Sequence, residues 1–195
     1  MSTRTQRFFR EYQLSLKLWL FFMVLLTAFR GLFILTFRTK ISAGGADDVL
    51  LSLVNGMRFD AMAAAFWVAP SLLFGLPLSD ADTAPRTDRI RTFSAAAFGA
   101  VTSLLFVVTL VYFQEYNDHF NHFVFNLYYD DTGAIFATIW EAYHPVLGVL
   151  AAAALAAGIH FLYRALRRST FFSRNIDVSP ALSTAASVTL VILAL

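Results

Sequence analysis

Apolar residues in this chain gather into long unbroken runs instead of alternating with polar ones, and the run lengths match a lipid bilayer. Crossing about 30 Å of hydrocarbon at about 1.5 Å per residue takes roughly 20 residues in a helix. Windows of that size fall at about 18–37, 50–78, 93–113 and 145–166. The second is overlong, so its first turns are expected in the interface. Pro145 suits the first turn of the fourth. A fifth run opens with Ser179 as N-cap and Pro180 behind it, then continues to Leu195. It is 16 residues long, with no basic flank or aromatic belt after it. A helix left inside hydrocarbon would strand its last carbonyls at a cost of several kcal/mol, so the expectation is a longer parent protein. The fold class expected is an all-α membrane protein, a bundle of five transmembrane helices with the fifth truncated.

Composition agrees with the pattern. Of the 195 residues, 58% are hydrophobic and 14% charged, against about a quarter charged in a soluble domain. There is no cysteine, which removes disulfides and thiolate metal sites. The first apolar run exceeds a signal-peptide core and has no small-residue cleavage site after it, so it is expected to stay as an anchor.

The net charge of +2 comes from basic residues set in short clusters between the runs. That is the arrangement of topology signals and not of a nucleic-acid face. Arg4, Arg7, Arg10 and Lys17 precede the first run; Arg86, Arg89 and Arg91 separate the second and third; Arg164, Arg167, Arg168 and Arg174 follow the fourth. Only Arg38 and Lys40 fall on the other side, a count of eleven against two. The amino terminus is therefore expected in the cytoplasm, with residues 114–145 outside. In that loop, Phe120, Phe123, Val124 and Leu127 recur at helical spacing, as do Ile135, Phe136, Ile139, Trp140 and Tyr143. Two amphipathic interfacial helices are expected there, joined around Asp130 to Gly133.

Charges inside a span are costly and usually functional. Arg30 lies seven residues before Phe37; Arg58 and Asp60 lie eight and ten residues after Leu50. All three reach a similar depth near the outer end. Arg58 and Asp60 are two apart and so face different ways on a helix. Asp60 is expected to pair with Arg30, leaving Arg58 to reach a lipid phosphate, although an ion-pair cluster with a purely structural role accounts for the same residues. A second group comprises Glu115, Asp118, His119, His122, Trp140 and Glu141, with His144 at the far end. His119 and His122 at a spacing of three allow metal binding, but a water-bathed polar face of an interfacial helix explains them more simply. His160 reads as a packed or hydrogen-bonded residue. The chain offers no phosphate-binding glycine loop, catalytic triad or paired carboxylates, so no catalytic residue and no cofactor of its own is expected.

Two stretches carry a family resemblance. Asn55-Gly56-Met57-Arg58-Phe59-Asp60, with Pro70 ten residues on, looks like the G-x-R-x-D…P pattern in the membrane domain of lipoteichoic-acid-synthase-like proteins, the phosphoglycerol and phosphoethanolamine transferases of the sulfatase superfamily. The segment from Tyr112 to Asp130, followed by Ile139-Trp140-Glu141-Ala142-Tyr143, is similar to that family's aromatic and acidic stretch after its third helix. About 35 residues carry the motifs, and the five-helix layout covers most of the chain. His119 and His122 stand near where the family often has a basic residue before Phe-Asn. The resemblance implies a bacterial inner-membrane protein with an extracytoplasmic catalytic domain further along its chain. That domain would use a threonine nucleophile and manganese or magnesium to take phosphoglycerol from an anionic phospholipid. This portion would anchor it and present the lipid. A polytopic transporter fragment and a non-enzymatic membrane scaffold are the competing readings.

Overall fold

The computed structural model describes residues 3–41, 46–75, 84–117 and 132–169. Within them every element is helical: α1 (Thr3–Thr36), α2 (Arg38–Ile41), α3 (Ala46–Gly75), α4 (Ala84–Tyr116), α5 (Thr132–Tyr143) and α6 (Pro145–Arg168). Four stretches are long and apolar enough to cross a membrane, namely Arg10–Thr36, Val49–Phe74, Pro85–Tyr116 and Pro145–Arg168. The fifth run, residues 180–195, and the amphipathic stretch at Phe120–Leu127 lie outside the described residues.

The helices outrun the apolar windows. The third was expected to begin at Phe93, yet α4 starts at Ala84 and carries Arg86, Arg89 and Arg91 within its first turns. α6 likewise extends through Arg164, Arg167 and Arg168. Arginine is a good helix former, so the helix continues past hydrocarbon into charged sequence. The junction expected at residues 130–133 also shifts, because Thr132 and Gly133 already belong to α5. Pro70 sits inside α3 without ending it, as membrane helices tolerate when neighbours supply other hydrogen bonds.

The chain forms two compact units. One holds α1 to α3, α4 as far as Ala96, and α6 from Phe161. α1 and α3 run antiparallel along each other. Lipid tails are as apolar as leucine, so close packing and hydrogen bonds must hold such helices together. Ala61, Ala64, Val68 and Ser71 recur at helical spacing and are buried, giving α3 a small-residue stripe. Leu18 and Phe22 of α1 are fully buried, and the Trp19 indole donates to the Ala61 carbonyl at 3.2 Å. Phe21 meets the buried Tyr163 of α6 with ring centres 5.6 Å apart.

The second unit is Ala97–His160. There α4 and α6 approach closely at Gly99, where an added Cβ would stand 3.0 Å from Ile159 Cγ2. α4 ends as Asn117 turns to φ 52°, its amide donating to the Phe113 carbonyl at 3.0 Å, a left-handed cap that asparagine tolerates. His144 adopts φ 44° between α5 and α6. Its carbonyl accepts the Leu147 amide at 2.9 Å, so one residue closes α5 and opens α6.

Candidate functional site

Two polar groups interrupt the packed face of α1. Ser15 and Arg30 are fifteen residues apart, or about 22 Å along the helix axis. That spacing places them toward the two edges of a hydrocarbon layer about 30 Å thick.

At the Arg30 end, Arg30 Nη2 donates to Asp60 Oδ1 at 2.8 Å. Nη1 of the same guanidinium reaches the Leu53 carbonyl at 3.4 Å. Leu53, Gly56 and Asp60 are spaced three and four apart and so form one stripe of α3. The guanidinium lies along that stripe. Gly56 makes this possible, because a Cβ there would fall on the Arg30 guanidinium. Asp60 is 7% exposed, and its second oxygen, Oδ2, is buried with no hydrogen-bond partner among the described residues. A buried carboxylate satisfied on one side only depends heavily on the arginine it has.

Arg58 points elsewhere. Two positions from Asp60 is a rotation of about 200° on a helix, and Arg58 is exposed. Among its neighbours Val54, Met57, Phe59 and Met62 are exposed and apolar, and Asn55, one turn back, is exposed and polar. The structure therefore brings Arg30 and Asp60 together and leaves Arg58 on an apolar outer face at the same level.

This arrangement predicts a sign reversal. Gly56→Ala should destabilise the protein by about 1–2 kcal/mol, through loss of the hydrogen bonds that the displaced guanidinium made to a charged partner. In an Arg30→Ala background the same change should be neutral or stabilising by up to about 1 kcal/mol, because alanine is the better helix former. Thermal unfolding of the four proteins measures it. Destabilisation of equal size in both backgrounds would show that the notch serves something other than Arg30.

The residues of the expected interfacial loop separate. Glu115 is exposed on the last turn of α4, while Trp140 and Glu141 are exposed on α5. Asp118, His119 and His122 lie outside the described residues. Tyr143 sits near the end of α4. Its shielding by protein first, and the Glu115 carboxylate next, raise its phenol above the ordinary range, so it remains a donor at neutral pH. No group of three or more metal-ligating side chains occurs among the described residues.

A third cluster escaped the charge count. Arg91 and Lys17 belong to the basic clusters that flank the apolar runs, yet both are buried within helices, Arg91 to 3% exposure. Arg91 Nη2 donates to Glu11 Oε2 at 2.8 Å and to the Glu11 carbonyl at 2.9 Å. Its Nε donates to Ser15 Oγ at 3.3 Å. Ser15 Oγ in turn lies 3.1 Å from Ser71 Oγ, and Ser71 donates to the Val68 carbonyl at 2.8 Å. Each hydroxyl has one proton: Ser71 places its own on Val68, and Ser15, which accepts from Arg91, has both Ser71 and the Glu11 carbonyl at 3.2 Å within reach of its own, so the contacts link α4 through α1 to α3. Nearby, Arg167 of α6 donates to Asp88 at 2.7 Å and to Thr92 at 2.9 Å on α4. The signals available in the sequence were Glu11 and Ser15 at a spacing of four and a lone Ser71 in an apolar run; neither names its partner.

Comparison with protein-family models, curated proteins and solved structures finds no match to this chain.

Proposed function

We propose that this chain is the membrane-anchoring and lipid-presenting part of a phosphoglycerol or phosphoethanolamine transferase of the sulfatase-like kind, working on cell-envelope glycans or polymers. The observation that carries the reading is Arg58, a guanidinium exposed among apolar side chains beside an arginine already neutralised by Asp60. An arginine on a hydrocarbon-facing surface snorkels to the headgroup layer and takes a phosphate there. Arg30 and Asp60 hold the backbone that carries it, and the charge-assisted hydrogen bond fixes the phosphate. Fixing the donor headgroup lowers the entropic cost of attack by a catalytic domain beyond this chain. The resemblance of residues 55–60 and 112–143 to that family supports the same reading. On it, the protein resides in a bacterial inner membrane with its amino terminus in the cytoplasm, and manganese or magnesium belongs to the catalytic domain.

The test is turnover of labelled phosphatidylglycerol and phosphatidylethanolamine by the full reading frame in proteoliposomes with manganese or magnesium. Arg58→Ala should raise the KM for the lipid about tenfold, equivalent to about 1.4 kcal/mol, and leave kcat within about twofold; Arg58→Lys should recover part of it. Absence of any headgroup transfer would refute the enzymatic reading. Transfer with an unchanged KM would refute lipid presentation by Arg58.

A further inference from the structure

The opposite end of this same unit carries a second, differently built set of arginines. On α4, Arg86, Arg89 and Phe93 are spaced three and four apart, so they share a face, and all three are exposed. On α6, Phe161, Arg164 and Arg168 are likewise spaced three and four apart, share a face, and are exposed. Each stripe runs from a large aromatic ring to a pair of guanidinium groups at the helix end. The two helix ends are fastened together, since Arg167 bonds Asp88 and Thr92 at 2.7 and 2.9 Å. That pairing also consumes the one carboxylate, Asp88, lying between Arg86 and Arg89 in sequence.

The helices' own electrostatics do not explain the α4 pair. Basic residues favour the carboxyl end of a helix, which suits Arg168, but Arg86 and Arg89 stand at the amino end of α4, whose first turn contains no acidic residue. Four exposed guanidinium groups on two joined helix ends, above exposed aromatic rings, constitute a surface that complements an anion with an apolar body. A soluble phosphate or a nucleic acid would engage the arginines alone, whereas a phospholipid also meets the exposed faces of Phe93 and Phe161.

We infer that this end of α4 and α6 binds an anionic phospholipid, its phosphate held by the arginine pairs and its acyl chains lying along Phe93 and Phe161. The site is separate from Arg58 and sits on the other leaflet, that of the cytoplasmic side on the charge-derived topology.

The experiment uses the chain purified in detergent with Arg58→Ala already in place, which removes the α3 guanidinium from the measurement. Native mass spectrometry counts bound dioleoyl phosphatidylglycerol against dioleoyl phosphatidylcholine, with glycerol 3-phosphate as a headgroup-only arm. The parent should retain phosphatidylglycerol selectively. Arg86→Gln with Arg89→Gln should weaken that binding about thirtyfold, as should Arg164→Gln with Arg168→Gln, since each arginine near an anionic surface contributes about 1 kcal/mol. Arg38→Gln, at an exposed arginine on α2, should change nothing. Undiminished selectivity in both paired variants overturns the inference, and so does equal binding of glycerol 3-phosphate, which would make the site one for a soluble anion. If the paired variants do not fold, salt decides: 0.5 M sodium chloride should release phosphatidylglycerol, and its retention would contradict a charge-held lipid.

Discussion

Arg91→Ala is expected to be the most damaging single substitution, costing about 3–5 kcal/mol, the range found when one partner of a buried ion pair is removed. The change strands the Glu11 carboxylate, 13% exposed at its side chain, and takes the donor from Ser15. It therefore cuts the connection from α4 through α1 to α3 at its origin. Arg91→Lys should recover less than half the loss, because one ammonium cannot reproduce a fork that meets Glu11 Oε2, the Glu11 carbonyl and Ser15 together. The readout is the melting temperature of the purified protein by size-exclusion fluorescence. A lysine variant as stable as the parent would show that only the charge at position 91 matters.

The next largest loss is expected from Asp60→Ala, about 2–3 kcal/mol. It falls below Arg91→Ala because the Arg30 side chain is 26% exposed and can move toward solvent or headgroups once unpaired. Asp60→Asn should cost less, since an amide oxygen still accepts from Arg30 and the oxygen replaced by NH2 has no partner to lose. Exchanging the pair, Arg30→Asp with Asp60→Arg, should recover some but not all of the stability lost in either single change. Opposite charges would face each other again, but the Gly56 notch is cut for a guanidinium arriving from α1. Full recovery in the exchanged protein would show that charge alone, without the notch, holds the site. Chemical denaturation in mixed micelles gives the four free energies for the cycle.

The physics of these residues also explains what could be read from the chain in advance. Run length alone announced four apolar helices, because nothing but a span needs 20 apolar residues without interruption. Arg30 and Asp60 stood out for the same reason: a charge inside such a run has few excuses, and equal depth on consecutive antiparallel helices makes partners. Arg91 was hidden because its surroundings look ordinary. An arginine in a cluster with Arg86 and Arg89 reads as a flank, and its burial depends on Glu11 and Ser15, some 80 residues away in the chain. Gly56 was hidden too, since a glycine in an apolar helix carries no mark of the side chain on another helix that lies across it. Hydropathy marks where hydrocarbon stops, whereas arginine-rich sequence lets a helix continue beyond that line, so α4 and α6 outrun their apolar windows.

Orientation remains the claim on which the lipid-presenting role rests, and the absence of cysteine makes it directly measurable. Glu141→Cys on α5 and Arg89→Cys on α4 each introduce a single thiol at an exposed position. On the proposed orientation, a maleimide that does not cross the membrane holding the protein should label position 141 in intact cells and position 89 only after that membrane is breached. The reverse pattern would put the Arg58 level of α3 toward the cytoplasm and contradict headgroup presentation to an external catalytic domain.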